Sequence, residues 1–490
     1  MDSITRRRFL EQTLLTAATG LGVGKFALGE VSAHAAGRHS RILGANDRIR
    51  IALIGVHGRG MDHMRGYVDK EGVEIVAICD PDLSCIEKAQ AAIEKKNKPK
   101  PVGVQDIRKL LEMKDLDAVS IATPNHWHSL AALWAMQAGK DVYVEKPVSH
   151  NVSEGRRITQ AAAKYNRICQ AGTQSRSHRA CQEAVAYINS GKIGKVTLGR
   201  ALCYKPRTSI GKVAAPTPVP AGVDYDLWLG PAPQKPIMRK QLHYDWHWQW
   251  DYGNGDLGNQ GIHQMDIARW ALNKHTLPNS VMSLGGRFGY IDDGQTPNTQ
   301  MVLFDYGDSH LIFEVRGLKT DGFTGVSIGD IIYGTEGYVA FSSDYGRVAA
   351  FDKDNKKVQE FTGAGDHFGN FISAVRSRKA DTQNGPILEG HLSSALCHLG
   401  NISYRLGTSV PFNKQTQSLG DDKAAVETFE RMTQHLKDNN IALAETSYQL
   451  GPTLKIDPRK EQFTGAMSKE ANELLTREYR KGFEVPAKLS

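Results

Sequence analysis

The chain has 490 residues, 40% hydrophobic, 8% aromatic and 23% charged, with 48 Gly and 19 Pro. That is ordinary globular composition, long enough for two large domains, and it excludes extended disorder, collagen and coiled-coil arrays. Sixty-one Lys and Arg against 53 Asp and Glu give +8, but the excess is diluted along the chain and no nucleic-acid partner is expected.

At the N-terminus, Thr5-Arg6-Arg7-Arg8-Phe9-Leu10 sets consecutive arginines before a modest apolar stretch, Leu14 to Leu28, and Ala33-His34-Ala35 offers a small-x-small cleavage site. A basic start, an apolar middle and a small-residue exit make residues 1–35 a secretory signal, and the arginines make it similar to a twin-arginine signal. The expectation is a periplasmic protein exported already folded. Gly20, Gly22, Gly24 and Lys25 interrupt the apolar stretch, so no integral membrane span is expected. The six cysteines (Cys79, Cys85, Cys169, Cys181, Cys203, Cys397) form no CxxC pair and read as small buried hydrophobes.

From Ile49 short apolar runs alternate with helix-length segments. Ile49–Gly55, Val73–Asp80, Ala118–Thr123, Val142–Val144 and the weaker Arg167–Ala171 read as strands, with helices such as Leu130–Ala138 and Glu154–Tyr165 between them. Continuous apolar strands alternating with helices predict a parallel, doubly wound Rossmann sheet over 46–172. Beyond Gly172 a helix is expected near Ala180–Ser190, then strands at Ser280–Tyr290, Thr299–Tyr306, Ser309–Arg316, Val326–Tyr333 and Tyr338–Phe341. Strands without intervening helices predict a second α/β domain, 173–420, built on a large, open, mostly antiparallel sheet. Segment 421–490 mixes polar helix with Pro and Gly and has no predicted place.

The first strand runs into Gly55-Val56-His57-Gly58-Arg59-Gly60. Glycines in a strand-to-helix turn let backbone amides approach a pyrophosphate, so Gly55, Gly58, Arg59 and Gly60 are candidate dinucleotide contacts. The usual spacing would put glycine at 57, where this chain has His57. Asp80, 25 residues after Gly55, ends the second strand where a carboxylate binds ribose hydroxyls and repels a 2′-phosphate, favouring NAD over NADP. Thr123-Pro124-Asn125-His126-Trp127-His128 follows the third strand and Glu145-Lys146-Pro147 the fourth, both at the carboxyl ends where open α/β sheets bind ligands. A lysine at a crevice edge can exchange a proton with a substrate hydroxyl or carbonyl when desolvation lowers its pKa, which makes Lys146 the first catalytic candidate.

Further on, a helix from about Asn259 would align Asn259, His263, Asp266 and Trp270 along one face. His263 is the second catalytic candidate, with Asn259 and Asp266 as substrate contacts. His263 and Asp266 lack a third ligand, so no metal is expected. Tyr244-Asp245-Trp246-His247-Trp248-Gln249-Trp250 is dense in aromatics; Trp246 and Trp248 suit either a carbohydrate face or a hydrophobic core.

Taken together, the Gly55–Gly60 turn, Cys79-Asp80, TPNHWH, VEKP and the G-x-H-x-x-D-x-A-R-W stretch at Gly261–Trp270 resemble the glucose–fructose oxidoreductase/inositol dehydrogenase (Gfo/Idh/MocA) family over about residues 46–410. The resemblance implies oxidation or reduction of sugars, cyclitols or their derivatives with a nicotinamide cofactor. It makes Lys146 and His263 the proton-handling pair, puts Thr123, Asn125, His128 and Glu145 along the cofactor, and implies an open sheet used for homo-oligomerisation. Many family dehydrogenases carry an aspartate four residues before the histidine, where this chain has Asn259. Export adds a constraint, because a periplasmic enzyme has little access to free NAD; tightly held NAD is expected. Some relatives cleave glycosides by transient oxidation, elimination and re-reduction, which is the alternative activity. A non-catalytic sugar-binding protein is the third reading.

Overall fold

In the computed structural model, which describes residues 48–412 and 417–489, the first sheet is assembled from six short parallel strands. They are β1 (Ile49–Ile54), β2 (Val73–Cys79), β3 (Val102–Val104), β4 (Ala118–Ile121), β5 (Asp141–Val144) and β6 (Cys169–Ala171), in the order β3-β2-β1-β4-β5-β6. β1 and β4 are buried on both faces, which is why they read as unbroken apolar runs. The order reverses at β1, so the switch point of the sheet lies between the ends of β1 and β4, where open α/β sheets place the ligand crevice.

Helices α1 (Gly58–Tyr67), α2 (Leu83–Glu94), α3 (Ile107–Leu111), α4 (Asn125–Gln137) and α5 (Val152–Lys164) connect these strands. Asp82, Asp106 and Asn151 start α2, α3 and α5 by accepting the amide hydrogens of Ser84, Arg108 and Glu154 at 2.8, 2.8 and 3.0 Å. β3, which has a glycine at its centre and an exposed face, has no apolar run and went unpredicted. Within the TPNHWH stretch, Asn125–His128 form the first turn of α4.

After α6 (Arg179–Asn189), strands β7 (Val196–Tyr204), β8 (Ser280–Gly286), β9 (Thr299–Asp305), β10 (His310–Arg316), β11 (Ile328–Gly334), β12 (Gly337–Phe341), β13 (Arg347–Asp352) and β14 (Lys357–Thr362) build the second sheet. Its path is β14-β13-β12-β11-β7-β10-β9-β8, continued by β16 (Ser447–Leu450) and β15 (Thr408–Pro411), with β17 (Leu454–Asp457) and β18 (Gln462–Thr464) attached at β8. Every pairing is antiparallel except β7 with β10. Helices α7 (Tyr225–Leu229) and α8 (Ile262–Ala271) lie between β7 and β8, and α9 (His367–Ser377) and α10 (Ile387–Arg405) follow β14. α8 and α10 pack with Leu257, Val302 and Phe313 in the core beneath this sheet.

Segment 421–490, left without a place by its sequence, completes both halves. α11 (Lys423–Asp438) covers part of the outer face of the sheet, where Arg200 and Arg431 meet Glu314 at 3.3 and 2.6 Å. β16–β18 extend the sheet, and α12 (Ser468–Glu473) follows. The last turn then returns to the Rossmann half, where Phe483 and Val485 join Trp127, Leu130 and Met136 in its core. Both sheets belong to one compact unit, and no helix among the described residues is long and apolar enough to cross a membrane. The arginine-rich N-terminal signal lies outside the described residues.

Candidate active site

A groove of about 370 Å3 opens at the switch point of the first sheet. One wall comes from the strand ends: Gly55, Gly58, Arg59, Asp80, Thr123, Asn125, Glu145 and Lys146. The other comes from a long strap, residues 205–256, which contributes Trp228, His243, Tyr244, Trp246 and His247.

The glycine turn fits a pyrophosphate. Gly55 has φ +79°, and a Cβ there would sit 2.8 Å from the Ala122 backbone, so only glycine lets β1 pass the end of β4 this closely. A Cβ at Gly58 would meet nothing: this residue borders open groove at the N-terminus of α1, where free amides and the helix dipole favour an anion. Gly60 does not line the groove, contrary to the sequence expectation. It sits against the Gly55 carbonyl inside the turn, and its role is to close that turn. Asp80 stands at the far end, its Oδ2 accepting the Val56 amide at 2.9 Å and its Oδ1 the Asp82 amide at 3.0 Å. Burial pushes its carboxyl above the usual range while those two amides pull it down.

At the inner end, Glu145 is clamped. Arg59 Nε donates to its Oε1 at 2.7 Å, and His63 Nε2 meets the same oxygen at 3.2 Å. Burial opposes ionisation, but Arg59, His63 and Lys146 outweigh it and hold the carboxyl well below the usual range. Arg59 therefore lines the groove as the partner of Glu145, with Gln174 Oε1 on its other nitrogen at 2.8 Å. His128 ties the two strand ends together, one ring nitrogen 2.8 Å from the Thr123 carbonyl and the other 2.6 Å from that of Pro147. It shapes the wall without offering a free nitrogen.

Lys146 differs from these neighbours. Its Nζ donates to one backbone carbonyl, that of Asn259, at 2.8 Å. Burial lowers its pKa, Glu145 raises it, and Arg59, Lys205 and Arg207 lower it further. His263 is buried, its Nδ1 has no hydrogen-bond partner, and burial together with the charge of Lys146 holds its pKa well below the ordinary imidazole value. The amine and the imidazole thus lie within electrostatic reach of each other, although His263 is not among the residues that line the groove.

Leu257–Gly261 form a single π-turn that runs straight into α8 at Ile262, so the segment is helical but the turn shifts Asn259 relative to the α-helical stripe. Asn259 lines the groove and its carbonyl accepts from Lys146. Asp266 faces away from the groove: Arg176 grips it through two bonds of 2.8 and 2.9 Å, and Ser393 Oγ donates at 2.6 Å. A fully buried carboxylate needs such a partner, and Arg176, 90 residues away, supplies it. Trp248 likewise turns into the core, with Arg207 5.3 Å over its ring. Trp246 does line the groove, stacked on His247 at 3.7 Å.

Several groove residues carried no role in the sequence reading. His247 Nδ1 meets the Tyr244 carbonyl at 2.6 Å, and burial lowers its pKa to about 3. His57 and His243 stack at 4.8 Å, with His243 Nε2 2.9 Å from Asp82. Just behind the groove, Asn254 accepts from Asn125 at 3.0 Å. All but His57 belong to the strap; its aromatic content was visible, but its folding across the crevice was not.

Comparison with known proteins agrees with this architecture. The description "Oxidoreductase family, NAD-binding Rossmann fold" matches residues 49–173, and "Oxidoreductase family, C-terminal alpha/beta domain" matches residues 182–439. A glycosyl hydrolase family 109 protein of Shewanella putrefaciens is 37% identical over 127 residues, 25% of this chain and 28% of the relative. An alpha-N-acetylgalactosaminidase of Shewanella oneidensis is 32% identical over 180 residues, 34% of this chain and 39% of the relative. This chain therefore spans well under two thirds of the length of these curated relatives. In fold it is similar to the WlbA dehydrogenase of Bordetella pertussis, solved in complex with NADH and UDP-GlcNAcA (TM-score 0.53, 18% identity, 72% of this chain and 97% of that one). It is also similar to an oxidoreductase domain protein of Kribbella flavida (TM-score 0.55, 19% identity, 72% and 96%). With a nicotinamide-type crevice closed by a buried lysine, and with both domain descriptions matched in order, the chain belongs to the Gfo/Idh/MocA oxidoreductase family.

Proposed function

We propose that this protein acts on a sugar, polyol or sugar derivative by hydride exchange with a tightly held NAD. One observation carries the reading: at the inner end of a groove that fits a dinucleotide, the Lys146 amine is buried and held by a single carbonyl, so it is free to exchange a proton. Gly55, Gly58 and the N-terminus of α1 would hold the pyrophosphate, and Asp80 the ribose, which favours NAD over NADP. When bound, the cofactor supplies a hydride acceptor beside the substrate carbon. Lys146, in its neutral form, takes the proton of the substrate hydroxyl. Lys205 and Arg207, the latter fixed by Asp256 at 2.6 Å, place positive charge near the developing oxyanion. His263, neutral because its pKa lies well below 6.5, orients the hydroxyl by hydrogen bonding.

A second activity, redox-neutral glycoside cleavage, is favoured by the strap. Asp224 N donates to Pro81 O at 2.9 Å and Leu83 N to Gly222 O at 3.1 Å, while Trp127 Nε1 donates to Leu227 O at 3.0 Å. A groove fastened at both sides suits a cofactor that stays in place and is restored within each cycle. The names of the Shewanella relatives agree with that chemistry. Export by the twin-arginine route to the periplasm follows from Arg6 and Arg7. The half-exposed Tyr333, Tyr338 and Phe351 on β11–β13 suit a homo-oligomer contact.

Native mass spectrometry of the full-length protein purified from the periplasm tests these points together. The expected species carries one NAD per subunit and is an oligomer. Adding a sugar should then raise the reduced-nicotinamide absorbance, whereas a glycoside that releases its aglycone without net reduction identifies the cleaving activity. Protein free of dinucleotide that also takes up none would refute the proposal.

A further inference from the structure

A second cavity of about 360 Å3 lies behind the groove, within the roughly 300–1,000 Å3 of small-molecule sites. It is lined by His150 at the start of α5, Trp250 and Asn254 of the strap, Asn401 and Arg405 of α10, and Arg477 after α12. The Asn125–Asn254 hydrogen bond separates it from the groove. None of these residues has a part in the chemistry proposed above.

The hydrogen-bond inventory shows what the cavity leaves open. Arg477 Nη1 donates to the Asp251 carbonyl at 2.9 Å and to His150 Nδ1 at 3.2 Å. Because Nδ1 accepts, the ring proton of a neutral His150 sits on Nε2, and that nitrogen is buried with no partner. Burial and the nearby Arg477 keep this histidine neutral. Asn401 is 5% exposed and donates Nδ2 to the Asn254 carbonyl at 2.9 Å, leaving its Oδ1 buried without a donor. The Arg405 guanidinium lies 5.4 Å over the Trp250 ring and makes no hydrogen bond among the described residues. The lining therefore holds an unmatched donor on His150, an unmatched acceptor on Asn401, the Arg405 guanidinium, and apolar surface from Trp250, Ile402 and Leu474.

Charge narrows the ligand. Arg405 and Arg477 are balanced by Asp251, Glu473 and Glu478 in the same lining, so a strongly anionic ligand gains little here. A neutral ligand that both accepts and donates hydrogen bonds and has an apolar C–H face suits this lining. We infer that this cavity is a second carbohydrate-binding site, taking a neutral saccharide unit through its vicinal hydroxyls. The inference rests on the lining alone and stands or falls separately from the chemistry of the groove.

The test is calorimetric titration of full-length Lys146→Ala protein, which cannot turn substrate over, with D-glucose, D-galactose and N-acetyl-D-glucosamine. Sodium phosphate and sodium glucuronate serve as anionic probes. At least one neutral sugar is expected to bind at a site that Arg405→Ala or Asn401→Ala weakens at least about tenfold, about 1.4 kcal/mol, whether or not the groove binds it too. Dinucleotide content by native mass spectrometry should be unchanged by either substitution. Arg405 ends α10 on the surface, so its variant keeps the test valid if Asn401→Ala fails to fold. Sugar binding that is absent or indifferent to Arg405→Ala, or tighter Arg405-dependent binding of phosphate or glucuronate, would each overturn the inference. Loss of dinucleotide from the parent protein would count against the groove reading and leave this one in place.

Discussion

Two clusters of buried charge lie on either side of α8, and they are built differently. Beneath the helix, Asp266 and Glu389 meet Arg176, Arg269 and Ser393, and each Asp266 oxygen has a donor. At the groove, Glu145 is satisfied by Arg59 and His63, but Lys146 has one carbonyl and Thr123 Oγ1 has nothing, and behind this lining His263 Nδ1 has no partner either. An unmet buried polar group costs about 1–3 kcal/mol. A fold that gives each Asp266 oxygen a donor and leaves Lys146, Thr123 and His263 under-bonded has set these two clusters apart, the first for support and the second for chemistry.

The contrast is broken or sharpened first by Lys146→Ala. Sugar-dependent reduction of the bound cofactor should fall about 100- to 10,000-fold, with the unfolding midpoint and dinucleotide content near those of the parent. A large loss of stability instead would put Lys146 in the supporting class. Asp266→Ala makes the converse case: it strands Arg176 in the core, and urea unfolding should show a loss of about 3–5 kcal/mol. Should Asp266→Asn fold as stably as the parent yet lose turnover, Asp266 would belong to the chemistry after all.

Titration tests the open cluster directly. Lys146 is depressed below 10.5 and His263 well below 6.5, both chiefly by burial. Below 6.5 the unfolded chain binds a proton at His263 that the folded chain refuses, so this group subtracts stability as the pH falls. Glu145, held well below 4.5 by Arg59 and His63 against its burial, adds stability above 4.5 that is lost as the pH drops further. Both slopes have the same sign, and stability should rise from acid toward neutral pH. The rate requires the neutral amine, so kcat/KM should climb with pH and level off below 10.5. A profile still rising at 10.5 would show an amine without the burial seen here.

How much of this was legible in the sequence follows from range. β1, β2, β4 and β5 were readable because burial on both faces demands continuous apolar runs. Lys146 was readable because a strand end precedes it. The role of Asp266 was not: helical spacing shows which residues are neighbours, but the partner that turns this face inward is Arg176, far away in sequence. β7 hid because Arg200 at its centre looks like surface, whereas it is buried against Glu314. Segment 421–490 hid for the same reason, its polar helix being matched to charges on the outer face of the sheet. The π-turn that exposes the Asn259 carbonyl has no sequence signature that separates it from an ordinary helix start.

The smallest effect concerns the strap, which joins the two classes. His243 reaches from it to Asp82, the cap of α2, and stacks on His57 of the glycine turn. The contact is partly exposed, so its strength resembles that of a surface pair, about 0–1 kcal/mol. His243→Ala should therefore leave the fold and the sugar KM intact and speed dinucleotide release by at most about fivefold, measured by stopped-flow chase of the bound nucleotide. If release accelerates a hundredfold, this one clasp governs retention, and the strap is a gate rather than a wall. If nothing changes, retention resides in the backbone bonds at Pro81 and Leu83 and in the Trp127 indole bond. In that case the strap belongs with the paired cluster beneath α8, as part of the frame.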